Sequence, residues 1–225
     1  MSRHIARHVI SGRHRVIGVQ GSQGVGMCEK LVALFRKGGS TCVTLSLDDF
    51  YLPDEGQTHE HEDPRLRGRG NPGTHDVALL SSCLERLINF KGTVELPIYN
   101  KAAHSGRGDR SSFVRCVCER PDFILLEGWC VGFLPLPDHP DDAVNANWSQ
   151  YVPIFDRLDT LVSLQGSRES CPAWRQQAEP DGGMTDKQLD AFTKRLFTTL
   201  DIYAPHRSAN LVIKMDSEHD VVIEP

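Results

Sequence analysis

Short apolar runs alternate with amphipathic stretches along this chain, and the alternation predicts its fold. Five runs rich in branched aliphatic side chains have the length and composition of buried strands: residues 16–19, 41–47, 123–126, 160–164 and 211–213. Apolar residues recur at helical spacing after residue 26 and over residues 77–90 and 185–202. Strands that alternate with helices predict a single α/β domain over residues 1–225 with a doubly wound sheet, to which residues 221–223 could add an edge strand.

A glycine-rich turn joins the first strand to the first helix. Its residues are Gly21, Ser22, Gln23, Gly24, Val25 and Gly26. Strand, glycine-rich turn and helix in this order are typical of a phosphate-binding loop, because glycines let backbone N–H groups approach an anion closely. The positive end of the helix dipole also favours the anion.

The two residues after this turn depart from the nucleotide-binding pattern G-x-x-x-x-G-K-[ST]. Met27 stands where the pattern has lysine, and Cys28 stands where it has serine or threonine. Methionine cannot balance phosphate charge, and a thiol is a poor ligand for the hard ion Mg²⁺. Lys30 could supply the missing positive charge, but it is a weaker candidate because it lies one turn further along the helix. The sequence therefore predicts a loop of the right shape that lacks two side-chain contacts.

Acidic residues follow two of the predicted strands. Asp48 and Asp49 come at the end of the second strand, and Glu127 directly follows the apolar run 123–126. Ligands of open parallel α/β sheets bind outside the carboxyl ends of the strands. An apolar strand that ends in one acid is the form of a Walker B element, whose carboxylate serves Mg²⁺ or its water.

Two loops are rich in basic residues. Residues 54–76 contain Arg69 and His75, and residues 100–110, which follow a short extended piece at 94–99, contain Lys101 and Arg107. A loop as long as the first one is usually functional or disordered. Composition alone leaves two interpretations open, a solvated loop and an anion-binding loop over the site.

Charge and cysteine content narrow the classes of protein. The net charge of −5 gives no electrostatic case for binding nucleic acid. No run approaches the ~20 apolar residues of a membrane span. The seven cysteines are scattered without metal-binding spacing, which favours reduced thiols in the cytoplasm. The first fifteen residues hold four arginines and no acid, which mildly resembles an organelle-import peptide, but we expect a flexible solvated tail over residues 1–14.

Six segments, in order, resemble the phosphoribulokinase and uridine kinase group of P-loop kinases, and within it the D-glycerate 3-kinase family of plants and fungi. The segments are LSLDDFYLP (45–53), GNPGTHD (70–76), PIYNKAAHSGRGDR (97–110), LLEGWCVGF (125–133), WRQQAE (174–179) and GGMTDKQLDAF (182–192). The resemblance runs over most of the chain. It implies a three-layer P-loop NTPase fold, with a five-stranded parallel sheet and helices on both faces.

The resemblance also implies phosphoryl transfer from ATP, with Mg²⁺, to a hydroxyl of a small acid such as glycerate. Asp48 matches the acid that accepts the hydroxyl proton, and Glu127 matches the Walker B acid near Mg²⁺. Cys28 stands at the other position that would contact the metal ion, where its thiol would bind only weakly. The resemblance implies that residues 21–28 bind the nucleotide. It implies the same for Arg175, which would lie in a lid together with Trp174. The substrate side is implied for Asp49, Tyr51, Arg69, His75, Lys101 and Arg107.

Two functional hypotheses remain open from the sequence. The first is a glycerate-type kinase whose activity Met27 and Cys28 would impair. The second is a catalytically inactive relative that binds a nucleotide or a metabolite. A nucleic-acid-binding module fits poorly, because the net charge opposes it and the basic loops lack interleaved aromatic residues. The sequence leaves the oligomeric state open.

Overall fold

The computed structural model describes residues 2–21, 24–58, 68–70, 73–136, 147–169, 171, 185–215 and 221–224. Its strands are β1 Val16–Gln20, β2 Cys42–Ser46, β3 Val94–Asn100, β4 Asp109–Val117, β5 Phe123–Gly128, β6 Thr160–Gly166, β7 Leu211–Met215 and β8 Val221–Glu224. Its helices are α1 Ser2–Ser11, α2 Gly24–Lys37, α3 Val77–Ile88, α4 Ala103–Gly106, α5 Val152–Phe155 and α6 Asp186–Tyr203, with 3₁₀ turns at Leu47–Phe50, Asp54–Gly56 and Pro205–Arg207.

A six-stranded sheet in the order β2-β5-β1-β6-β7-β8 forms the centre of the fold. Strands β2, β5, β1, β6 and β7 pair in parallel, whereas β8 pairs antiparallel with β7. The predicted five-stranded parallel sheet is therefore confirmed, and β8 is the additional edge strand.

Side chains that alternate along the strands supply two separate hydrophobic cores. Val16 and Ile124 pack with α3 on one face, whereas Ile17 and Leu125 pack with α1 and α2 on the other. Successive strand side chains point to opposite faces, so one apolar run can serve both cores. Helices therefore cover both faces of the sheet, as expected.

The expected flexible tail at residues 1–14 is wrong for most of its length, because residues 2–11 form helix α1. Ile5 and Val9 have no exposed surface, and both belong to the core beneath α2. The Nε2 atom of His8 also lies 2.9 Å from Oγ1 of Thr160. The arginines suggested a solvated segment, but Ile5, Ala6 and Val9 lie between them at the spacing of one helical face.

A hairpin of β3 and β4 forms a second, two-stranded antiparallel sheet. The predicted extended piece at residues 94–99 is its first strand, but the sequence pattern gave no indication of the second. Strand β4 is mostly exposed, so it lacks a repeating apolar face. Arg115 in β4 donates a hydrogen bond to the carbonyl oxygen of Thr44 in β2, which joins the hairpin to the edge of the central sheet.

All seven cysteines are free thiols. Across the described part of the chain, no helix combines the length and the apolar character needed to cross a membrane.

We expect Ile5→Ala to lower the free energy of unfolding by about 2–5 kcal/mol, because it leaves a cavity in a core that excludes water. Ile10→Ala is the matched control, since Ile10 lies on the same helix with 60% of its side chain exposed. Urea denaturation of the full chain measures both. Equal, small effects would show that the N-terminal segment does not pack on α2.

Candidate active site

Three neighbouring strands bring the predicted acidic residues to one edge of the sheet. In the parallel register, Glu127 on β5 lies between Val19 on β1 and Ser46 on β2. The chain leaves β2 in the 3₁₀ turn Leu47–Phe50, which contains Asp48 and Asp49. The carboxyl edge of the sheet therefore holds three carboxylates within two short segments, as the sequence predicted.

Asp48 forms an ion pair with a lysine from the hairpin. Its Oδ2 atom lies 2.7 Å from Nζ of Lys101, and 34% of its side chain is exposed. Burial alone would raise the pKa of Asp48, but the charge and hydrogen bond of Lys101 lower it below its ordinary value. The charge of His75 and a hydrogen bond from Tyr51 act in the same direction. Asp48 is therefore an anion at neutral pH and can accept a proton.

Glu127 is in a different electrostatic environment from Asp48. Only 5% of it is exposed. Burial raises its pKa from 4.5 to about 7, and the negative charge of Asp48 adds to this rise. A hydrogen bond with Ser46 opposes the shift. Burial and the nearby carboxylate both disfavour the ionised form of Glu127, and a cation bound beside it would favour that form again.

Asp49 faces the hairpin. Its Oδ1 accepts a hydrogen bond from the backbone N–H of Tyr99 at 3.2 Å. Burial raises the pKa of Asp49 in spite of this bond. The residue therefore fastens β3 to the turn after β2 in the described conformation, and its predicted contact with substrate stays a prediction.

An aromatic wall borders the carboxylates. The rings of Tyr51 and His75 stack with centroids 4.4 Å apart, and the two residues also form an isolated antiparallel bridge. Nδ1 of His75 lies 2.6 Å from the hydroxyl of Tyr151. The hydroxyl of Tyr51 forms its hydrogen bond with Asp48. The wall therefore connects His75 to the same site as Asp48.

The two predicted basic loops are close together, but their arginines bind protein groups. Nη1 of Arg69 donates to the carbonyl oxygens of Gly106 and Arg107 at 2.7 and 2.6 Å. Nη2 of Arg107 lies 3.1 Å from Oδ2 of Asp54. Among the substrate-side cations predicted from the sequence, Lys101 is the one that contacts Asp48. The role of Arg69 and Arg107 in substrate binding stays a prediction.

The glycine-rich turn retains the backbone requirements of an anion site. Gly21 has φ +149°, and a Cβ there would lie 2.7 Å from the carbonyl oxygen of Leu164. Gly26 is exposed, and an added Cβ would meet no described atom within 4 Å. Helix α2 begins at Gly24, so its first N–H groups lack partners within the helix. These features fit a phosphate group held by the backbone.

The side chains after the turn do not fit a phosphate group. Met27 and Cys28 are 4% and 2% exposed, and both belong to the apolar core under α1. Burial raises the pKa of Cys28 well above its ordinary value, and the charge of Glu127 adds to this. The Cys28 thiol is therefore neutral and near the Walker B position, but it is a poor ligand for Mg²⁺. Lys30 is exposed.

Several predicted nucleotide-side residues lie outside the described part of the chain. These are Ser22, Gln23, Trp174 and Arg175, and the side chain of Val25 is likewise not described. Their roles in nucleotide binding stay predictions.

Three residues in or beside the site were missed by the sequence analysis. Gln20 donates from Nε2 to the carbonyl oxygen of Trp129 at 2.9 Å and accepts from Ser163 at 2.7 Å, which fixes the segment after Glu127. Ser46 is hydrogen-bonded to Glu127. Tyr151 is 76 residues from its partner His75, so no local pattern could have found it. The sequence could have indicated Ser46 as a site residue, because it lies two residues before Asp48.

Several known proteins with similar sequence or structure are named as kinases. The chain is 36% identical to the chloroplastic D-glycerate 3-kinase of Arabidopsis thaliana, over 84% of this chain and 48% of that protein. It is 30% identical to an uncharacterised kinase of Schizosaccharomyces pombe, over 80% of this chain and 78% of that protein. The solved D-glycerate 3-kinase of Cryptococcus neoformans aligns with a TM-score of 0.87 at 28% identity, covering 100% of this chain and 98% of that one. No protein-family profile matches.

The parallel sheet, the glycine-rich turn after β1 and the carboxylates at the strand ends define the fold of a P-loop kinase. Taken with its relatives, the chain belongs to the P-loop kinase family that includes D-glycerate 3-kinase. The resemblance stated from the six sequence segments is thereby confirmed. The chain spans about half the length of the Arabidopsis relative.

We expect Glu127→Gln to remove a pH dependence of stability. Between pH 4.5 and about 7 the unfolded chain has ionised this residue while the folded chain still holds its proton, so the free energy of unfolding falls as pH rises. The loss is about 2–4 kcal/mol over this window. Urea denaturation from pH 4.5 to 8 should show a flatter profile for the variant. Glu85→Gln, at an exposed position on α3, is the control; identical profiles for all three proteins would contradict the raised pKa.

Proposed function

We propose that this protein is an ATP-dependent kinase that phosphorylates a hydroxyl group of a small carboxylic acid of the glycerate type. The observation that carries the proposal is the ion pair of Asp48 with Lys101, 2.7 Å long, at the strand edge that also holds Glu127. Phosphoryl transfer needs little covalent chemistry from the protein, because positioning and charge stabilisation supply most of the rate. An ionised carboxylate beside a cation can supply both the positioning of the substrate and the stabilisation of charge.

Asp48 is the general base in this proposal. Its lowered pKa keeps it ionised, so it can accept the proton of the acceptor hydroxyl as that oxygen attacks. Lys101 has 43% of its side chain exposed, so it can contact a substrate carboxylate while it holds the base. Arg69 and Arg107 lie in the adjoining loops and would add positive charge if their present contacts are exchanged for substrate. An anionic acceptor explains why an acidic protein keeps two basic loops.

The residues present fit ATP and Mg²⁺ in part. Residues 21–26 would hold phosphates through the backbone, and Glu127 would serve the ion. In the described part of the chain no three His, Cys, Asp or Glu side chains form a metal site by themselves. Mg²⁺ would therefore take most of its ligands from phosphates and water, as it usually does in kinases. ATP would supply the phosphoryl group, and Mg²⁺ would neutralise charge on it.

We propose a cytoplasmic location for the protein. Free thiols at all seven cysteines suit a cytoplasmic protein. The Arabidopsis relative is named as chloroplastic, so organellar import stays open for this chain. We propose a small acid as the binding partner, with no nucleic acid and no membrane.

We expect Asp48→Asn to reduce turnover of glycerate by roughly 10²- to 10⁴-fold, the usual loss with a general base, while glycerate still raises the melting temperature. Coupled ADP release and thermal shift measure the two properties. Asp190→Asn, at an exposed position on α6, is the control and should match the parent. Undiminished turnover in Asp48→Asn would refute its assignment as the base.

The acceptor is tested with the same thermal-shift assay on the parent protein, using glycerate, uridine, pantothenate and ribulose phosphate. Basic side chains around Asp48 should favour the small carboxylate over a neutral nucleoside. Stabilisation by uridine and not by glycerate would refute the acceptor class.

A second function is favoured by one specific observation. Met27 and Cys28 are buried in the apolar core, so neither puts a charge or a hydroxyl at the phosphates. A protein with the acid-binding side intact and the nucleotide side weakened could bind a metabolite or a nucleotide without catalysing transfer.

The double substitution Met27→Lys with Cys28→Ser separates these two functions. In a kinase it should tighten binding of Mg·ATP by roughly ten- to hundredfold, because a charge-assisted contact contributes about 1.5–3 kcal/mol. The flexible lysine stem can keep its apolar part in the core while the ammonium group reaches the loop. Calorimetry with and without Mg²⁺ measures the gain.

The matched control for this experiment is Met27→Leu with Cys28→Ser, which preserves apolar packing and adds no charge. If the lysine variant binds Mg·ATP no better than this control, the loop is unsuitable for another reason. The binding function would then be the better description.

A further inference from the structure

His75 is enclosed by two tyrosines that constrain it differently. Tyr51 covers one face of its ring at a centroid distance of 4.4 Å. Tyr151 meets the ring edge-on, with its hydroxyl 2.6 Å from Nδ1. His75 is 4% exposed and Tyr151 has no exposed surface. The histidine therefore has little freedom to rotate or to exchange this contact for water.

The hydrogen bonds of Tyr151 decide the direction of this contact. Its hydroxyl oxygen accepts the backbone N–H of Gly73 at 3.3 Å and also accepts the backbone N–H of His75. Burial raises the pKa of Tyr151 far above its ordinary value, so the phenol keeps its proton. With its acceptor positions used by two backbone donors, the hydroxyl donates its own hydrogen to Nδ1 of His75, the acceptor that the described residues place 2.6 Å away.

This direction fixes the tautomer of the histidine. A neutral imidazole carries one N–H, so a ring that accepts at Nδ1 carries its hydrogen at Nε2. Burial lowers the pKa of His75 to about 4, although the charge of Asp48 acts the other way, so the ring is neutral at pH 7. His75 is therefore a poor base, and its free nitrogen is a donor.

The donor at Nε2 is unused by the described part of the chain. The atom is buried and has no hydrogen-bond partner among the described residues. Leaving a buried donor unpaired is costly, and native structures rarely do so without a reason. Tyr51 joins the ring to Asp48, because it stacks on His75 and hydrogen-bonds to that carboxylate. Tyr51 therefore links the ring that carries the unpaired donor to the carboxylate that is proposed as the base.

We propose that Tyr151 is a positioning residue that holds His75 as the neutral Nε2–H tautomer, and that this N–H binds an uncharged hydroxyl oxygen of the acceptor next to the hydroxyl that Asp48 deprotonates. The second half rests on the proposed function. A neutral donor suits a neutral oxygen, whereas Lys101 suits the carboxylate. The acceptor class is thereby narrowed to acids with two neighbouring hydroxyl groups.

The first experiment measures the tautomer without any substrate. Nitrogen-15 NMR of the histidine-labelled protein should show His75 with a protonated Nε2 and an unprotonated Nδ1 at pH 7. His75→Gln identifies its signals among those of ten histidines. Tyr151→Phe should remove the preference for this tautomer. A charged ring or an Nδ1–H form in the parent, or no change in Tyr151→Phe, would overturn the assigned positioning role.

The second experiment measures recognition of the acceptor. Tyr151→Phe should raise KM for glycerate about three- to tenfold, the usual range for one neutral hydrogen bond, with kcat little changed. It should leave KM unchanged for 3-hydroxypropionate, which lacks the neighbouring hydroxyl. His75→Gln, which keeps a donor near the Nε2 position, should lose less affinity for glycerate than His75→Asn.

Tyr203→Phe is the control, because Tyr203 belongs to the same aromatic cluster through its ring contacts with Phe133 and Trp148. It should leave the glycerate preference as in the parent. Equal losses for glycerate and 3-hydroxypropionate in Tyr151→Phe would refute the contact with the second hydroxyl. If the parent neither binds nor turns over glycerate, the proposed function and this contact both fail, whereas the NMR result decides the tautomer independently.

Discussion

Three carboxylates lie partly or fully buried at the carboxyl edge of the central sheet, and the cost of holding charge there is the constraint on which the site depends. Glu127 lies in register with Ser46, and Asp48 and Asp49 follow in the next turn. The three groups meet this cost in different ways. Lys101 pairs with Asp48, a backbone N–H pairs with Asp49, and burial raises the pKa of Glu127 to about 7. The first two partners both come from the β3–β4 hairpin, so the site is complete only when the hairpin is docked.

One side of the site presents a charged group, and the other side presents an uncharged one. The hairpin brings the cation, while the Tyr51, His75 and Tyr151 wall brings an uncharged donor whose ring cannot compete with Asp48 for a proton. Because Asp48 is ionised and His75 is neutral at the same pH, the two groups have different tasks in spite of their proximity. In the proposed function, discrimination between acceptors would depend on hydrogen bonding as well as on net charge, because a buried polar group rejects a substrate that cannot pair with it.

Backbone and side chains contribute unequally on the nucleotide side. Gly21 packs closely on the backbone of Leu164, Gly26 has open space beside it, and the first N–H groups of α2 lack partners within the helix, so the backbone here stays compatible with a phosphate. Met27 and Cys28 have instead become part of the core under α1. The helix that covers this core is the segment whose arginines suggested a solvated tail. One apolar core therefore contains both the side chains that follow the turn and the packed face of the N-terminal helix.

Much of the fold was available from local patterns alone. The strands β1, β2, β5, β6 and β7, the helices α3 and α6, and the positions of Asp48 and Glu127 at strand ends follow from apolar periodicity, because burial on a sheet or a helix face repeats at short, regular spacing. Strand β4 could not be found in this way, since an exposed hairpin strand has no apolar face to repeat. Helix α1 was not predicted, because its arginines indicated a solvated tail although Ile5 and Val9 have the spacing of one helical face. The pairing of Lys101 with Asp48 and of Tyr151 with His75 was decided only by tertiary structure, because these side chains are far apart in sequence and meet only after the sheet, the hairpin and α5 have packed together.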